Sequence, residues 1–150
     1  MAIGLTKLTN QTIESAESVT ASSIEWASDT GGTVLNAGSG ELYQWVDLQI
    51  SVTFNASATG NAVLHLRTSA DDGTTESTEK VDTYAKTIAC SAGNTIIVNH
   101  KVYDFDYLDV GMENKDSSYS LTWSAIYCGQ KITGRSEERR VGKEGRSRWS

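Results

Sequence analysis

The residues most able to do chemistry crowd into Tyr103–Asn114, YDFDYLDVGMEN, where three aspartates and a glutamate stand among two tyrosines, a phenylalanine and aliphatic side chains. Such a stretch suits a calcium cluster, a sugar platform or an ordinary strand. Asp104 and Asp106 share a parity, which places them about 6.5–7 Å apart on a strand, too far to ligate one ion without a bend. The D-x-D-x-D-G order and distal glutamate of a dedicated calcium loop are also missing. The expectation is therefore solvated acids at a strand entrance and no metal. Asp71 and Asp72 in SADDGTTESTEK read as a wet hairpin loop turning at Asp72–Gly73.

Catalysis by proton transfer at neutral pH would fall to His65 and His100, the chain's two histidines. His100 shares a parity with Ile96, Val98 and Val102, which predicts a hydrogen-bonded core histidine. His65 has the parity opposite to Leu64 and Leu66, which predicts an exposed one. No G-x-S-x-G, H-E-x-x-H or glycine-rich phosphate loop occurs, and nothing singles out a carboxylate pair among the 19 acids. Cys90 and Cys128 are 38 positions apart without metal-ligand spacing, so two buried thiols on neighbouring strands are expected, with a disulfide as the alternative. The reading is non-enzymatic, with no cofactor and no metal.

The elements that carry these residues are strands. In YQWVDLQISVTFNAS, Val46, Leu48, Ile50, Val52 and Phe54 alternate with polar residues, the period of a half-buried strand. NAVLHLRTS sets Ala62, Leu64 and Leu66 against Val63, His65 and Arg67, and the two segments predict an antiparallel hairpin. YAKTIAC, SAGN and TIIVNHKVY read as strand, turn and strand. In the opening stretch Leu108, Val110 and Met112 oppose Tyr107, Asp109 and Gly111. SYSLTWSAIYCG groups Tyr119, Leu121, Trp123, Ala125 and Tyr127. SVTASSIEWAS and GGTVLNAG add two short strands, and NQTIESAESV has the spacing of a short helix. The fold class expected is all-β, a two-sheet antiparallel sandwich, jelly-roll-like, of about seven to eight strands. Without proline, its strand edges must be guarded by charge, bulges or a partner.

At 150 residues the chain has a one-domain length, and its hydrophobic share of 38% suits strands with wet outer faces. No apolar run is long enough for a membrane span and no leader is recognisable, so no membrane partner and synthesis in the cytoplasm are expected. Six of the 13 Lys and Arg but three of the 19 acids lie in residues 135–150, net +3, leaving −9 for residues 1–134. That break predicts a single sandwich domain over 1–134 and a basic tail over 135–150. RSEERRVGKEGRSRWS resembles a translated library-adapter sequence, although Gly145 stands where that product carries cysteine. The acidic body makes direct nucleic-acid binding unfavourable.

The ordered series LHLRTSADDGTTES, KTIACSAGNTIIVNHKVYDFDYLDVGMEN and YSLTWSAIYC resembles the small β-sandwich virion structural proteins of tailed bacteriophages, over roughly residues 43–132. The resemblance implies a virion component of decoration, head-fibre or tail-associated type, with other virion proteins and further copies of itself as partners and no catalytic residues. A carbohydrate-binding module, with a glycan as partner, is the alternative, because Trp26, Trp45 and Trp123 could form a platform. Trp45 is the candidate interface residue. It lies opposite in parity to Val46 and Leu48, so it faces outward, where a subunit, a sugar or an edge loop would cover it.

Overall fold

A computed structural model describes residues 4–37, 41–69 and 81–133. Its strands are β1 (Gly4–Val19), β2 (Ser23–Trp26), β3 (Leu35–Asn36), β4 (Leu42–Phe54), β5 (Ala62–Ser69), β6 (Val81–Ile88), β7 (Thr95–Phe105), β8 (Tyr107–Asn114) and β9 (Leu121–Thr133), with a 3-10 turn at Ala27–Asp29. One sheet has the order β1-β9-β4-β7. The other has the order β2-β8-β5-β6, with β3 also paired to β8. All pairings are antiparallel. Because β2 and β3 share one edge of β8, the arrangement has eight strand positions in two sheets of four. Apart from β5 to β6, each step between successive positions changes sheet. This is a jelly roll. No described helix is long and apolar enough to cross a membrane.

The alternating residues bury as their parity requires. Val46, Leu48, Ile50, Val52 and Phe54 of β4 and Leu121, Trp123, Ala125 and Tyr127 of β9 face Ala62, Leu64 and Leu66 of β5 and Leu108, Val110 and Met112 of β8 across the core. Each valine, leucine, isoleucine or methionine so buried contributes about 1.5–3 kcal/mol relative to exposure.

Three expectations are corrected. β4 and β5 are not a hairpin: β4 pairs with β7 and β9, β5 with β6 and β8. Alternation followed by a turn describes an arch between sheets as well as a hairpin, and the seven residues between these strands cross to the opposite layer. The segment NQTIESAESV is not helical but part of β1. Its register shifts at three places against β9, and Asn10 and Ala16 take positive φ of 50°. The extra residues stretch the inward positions to Leu8, Ile13 and Val19, so bulges imitate a helical spacing. These bulges also guard the β1 edge. Finally, Cys90 and Cys128 are free and partly exposed and not on neighbouring strands: Cys90 lies beyond the end of β6, and Cys128 is on β9 of the other sheet. The Asp72–Gly73 turn and the tail 135–150 lie outside the described residues.

One end of the sandwich is tied by two buried side chains between β8 and β9. Asn114 Nδ2 donates to the carbonyls of Val19, Thr20 and Tyr119. Asp116 accepts from the backbone N–H of Thr59 and Gly60 on one oxygen and of Ser118 and Tyr119 on the other, at 2.7–2.8 Å. The Gly60 N–H first, then those of Ser118, Thr59 and Tyr119, hold its carboxyl far below the ordinary range. A carboxylate with a depressed folded-state pKa stabilises the fold above its unfolded pKa, and this contribution is lost as pH falls below about 4. Asp116→Asn is expected to melt lower than wild type at pH 7 and to lose less on acidification, which thermal melts from pH 7 to pH 2 would read. Parallel curves would show that the charge is immaterial.

Candidate functional site

Two outward faces collect polar and aromatic side chains. On the β2-β8-β5-β6 sheet, cross-strand register sets Trp26 opposite Gly111 and Gly111 opposite His65, with Asp109 opposite Arg67 one step along. A Cβ on Gly111 would lie 2.6 Å from Trp26 Cε3, so the absent side chain makes room for the indole to lie across the strand. The Arg67 guanidinium covers that ring, its carbon 3.7 Å from the centroid. Arg67 Nη2 and Nε donate to Asp109 Oδ2 at 3.0 and 3.3 Å. Ser28 adds its N–H to Oδ1 at 3.2 Å and its hydroxyl to Oδ2 at 2.5 Å. The Asp109 side chain is 0% exposed.

Next along, His65 Nε2 is 2.9 Å from Glu113 Oε1, and Lys115 Nζ is 3.3 Å from Oε2. His65, then Lys115, hold the Glu113 carboxyl below its usual value against the opposing effect of burial. His65 is thus half-buried and bonded rather than a bare strand residue, because β8 supplies a carboxylate beside it. His100 is a half-buried ring stacked on Tyr84 at 4.0 Å between centroids. Burial, then Lys86, lowers its pKa. The acids of the opening stretch divide: Asp104 is exposed at the β7–β8 turn with φ of 50°, Asp106 is half-buried and Asp109 is fully enclosed. Among the described residues no three His, Cys, Asp or Glu side chains converge as a metal site. The charges of this face point at one another, an arrangement suited to holding a surface rigid.

The other outward face, on β1-β9-β4-β7, is open. Trp45 does face outward, partly exposed, and its strand neighbours are Tyr103 on β7 and Gln130 on β9. A bulge at Gln44–Trp45 aims it, and the Lys101 ammonium is 5.1 Å from its ring and 6.0 Å from that of Tyr103. Beside this pair lies a shallow recess of about 570 Å³, lined among others by Asn10, Asp47, Gln49, Asn99, Lys101 and Cys128. Exposed Leu5, Ile97, Tyr103 and Ile126 share this face by register, and Leu42 and Ile132 extend it from Leu5. Sequence reasoning found Trp45 but neither the recess nor Tyr103, because Trp45 and its partner Tyr103 are 58 residues apart in the chain. It also missed the Trp26–Arg67–Asp109 layer, for which the isolated Gly111 in a strand was the one signal.

No protein-family model matches the sequence, and no curated protein sequence matches it. Solved structures with similar folds include viral ones at low identity. A chain of the empty particles of cowpea mosaic virus is 11% identical with a TM-score of 0.46, over 64% of this chain and 59% of that one. The PRD1 vertex protein P5 is 18% identical with a TM-score of 0.43, over 82% and 97%. A family 16 carbohydrate-binding module is 7% identical with a TM-score of 0.42, over 82% and 85%. The chain spans less than two thirds of the cowpea mosaic virus chain. At these scores the likeness carries no argument about function.

Proposed function

We propose that this chain is a non-enzymatic structural component of a bacteriophage particle, made in the bacterial cytoplasm and placed on the outside of the virion as a decoration or similar protein. The ordered sequence resemblance over residues 43–132 supports this reading, as does an acidic body unsuited to the packaged genome. The observation that carries it is the apolar row Leu5, Ile132 and Leu42, in register across three strands of one outward face and continued by Trp45. Leu5 is 61% exposed, which costs solvation unless a neighbour covers it. Burying a modest patch of this kind suffices in a symmetric shell, where each weak contact is repeated.

Immunogold labelling of intact, nuclease-treated particles from the lysate that contains the protein is the direct test, with regular labelling of the outer surface expected. Label confined to the soluble fraction would overturn the reading. Leu5→Asp changes an exposed position and is expected to weaken attachment to particles about tenfold or more with an unaltered melting curve. Removing residues 135–150 is expected to leave attachment unchanged.

A further inference from the structure

Beyond that role, we propose that the recess on the outer face of the β1-β9-β4-β7 sheet binds a neutral pyranose oligosaccharide. Tyr103 supplies the ring on which a sugar stacks, and Asn99, Gln49, Asp47 and Asn10 meet its hydroxyls. The site does not depend on the virion reading, since Leu5, Ile132 and Leu42 lie on the side of Trp45 away from the recess.

Three features build it. The first is the aromatic wall. Tyr103 is 64% exposed on an edge strand and directly opposite Trp45, so the two aromatic residues are cross-strand neighbours on one face. A pyranose has an apolar face of C–H groups and an equator of hydroxyls, which suits a flat ring bordered by polar side chains. Lys101 lies near both rings, and its ammonium is 3.5 Å from Asp47 Oδ1. The lysine therefore lies among the rings and the carboxylate before any ligand arrives.

The second is the concavity. Leu8 pairs with Gly129 and Gln11 with Tyr127, so Thr9 and Asn10 together oppose Cys128. The bulge brings Asn10 to the recess in a positive-φ conformation, and Cys128 contributes only a small side chain beside it. From the Tyr103–Trp45 row to the Asn99–Gln49–Ile126 row is four residues, about 13 Å along the strands, so the site accommodates more than one sugar ring.

The third is the lining. Asn and Gln amides both donate and accept, as sugar hydroxyls do. Gln49 Nε2 and Asn99 Oδ1 are 3.5 Å apart, a long contact that a hydroxyl would replace with two shorter ones. A protein partner would favour an apolar centre depleted of charge, whereas Asp47 and Lys101 lie in the middle here. The net charge of −9 over residues 1–134 disfavours nucleic acid and anionic glycans.

The test uses the full chain against an immobilised panel of glucan, mannan, galactan, rhamnan and chitin oligosaccharides, followed by calorimetric titration of the strongest binder. Binding is expected. Tyr103→Ala and Asn99→Ala should each weaken it, the first by about tenfold, without lowering the melting temperature. In a Cys90→Ser background, the bound oligosaccharide should slow modification of Cys128 by N-ethylmaleimide. Binding that persists in Leu5→Asp while particle attachment fails would support a separate sugar site. No binding across the panel, or binding indifferent to Tyr103→Ala with no protection of Cys128, overturns the proposal. Loss of particle attachment in Tyr103→Ala without any sugar binding also overturns it and gives the face to a protein partner.

Discussion

Arg67→Ala is expected to remove about 3–5 kcal/mol of unfolding free energy, a large part of the 5–15 kcal/mol typical of a domain. The reason is asymmetry. Asp109 is fully enclosed, and its carboxylate has already given up hydration in exchange for the Arg67 fork and the Ser28 donors. Removing the guanidinium leaves the desolvation cost and takes away the charge that offset it. The same change uncovers the Trp26 ring, which the guanidinium overlies at 3.7 Å. Arg67→Lys keeps the charge but neither the fork nor the planar stack, and should fall between the two. Replacing both partners by apolar residues, Arg67→Met with Asp109→Leu, should recover much of the loss. Urea unfolding at pH 7 measures all four proteins, and a loss under about 1 kcal/mol for Arg67→Ala would mean that the pair behaves as an exposed surface bridge.

Trp123 should separate volume from polarity in the core. The side chain is 1% exposed near the start of β9, and Trp123→Ala is expected to cost about 3–5 kcal/mol through lost transfer energy and the cavity left behind. Trp123→Phe should cost less than half as much. The buried indole N–H has no hydrogen-bond partner among the described residues, so no bond is lost with it. Relief of that unsatisfied donor, about 1–3 kcal/mol, offsets part of the smaller ring's poorer filling. The same unfolding measurement decides, and equal losses for Ala and Phe would overturn this expectation.

Strand existence and facing were legible because both depend on neighbours in sequence. The parity of Val46 through Phe54, of Leu64 and Leu66, and of Leu108, Val110 and Met112 carried straight through to the core. Period two is a property of the backbone, and only one face can be dry. The same parity turned Trp45 outward. Failure came where an extra residue broke the count, as at Asn10 and Ala16, and where a polar residue met a distant partner. His65 read as exposed until β8 brought Glu113 to 2.9 Å. Asp109 looked like one wet acid among several until β5 and the Ala27–Asp29 turn enclosed it.

By itself, then, the sequence determined an all-β chain, the inward residues of its principal strands, and Trp45 as an outward aromatic. The tertiary structure alone decided which strands pair. Alternation specifies the face of a strand but leaves its hydrogen-bonding edges identical for every antiparallel partner, so β4 could have paired with β5 as readily as with β7. The choice of β7 and β9 rests on burying two sheets against each other over the whole chain. That choice set Tyr103 beside Trp45, opened the recess, and put Arg67 over Trp26 and against Asp109.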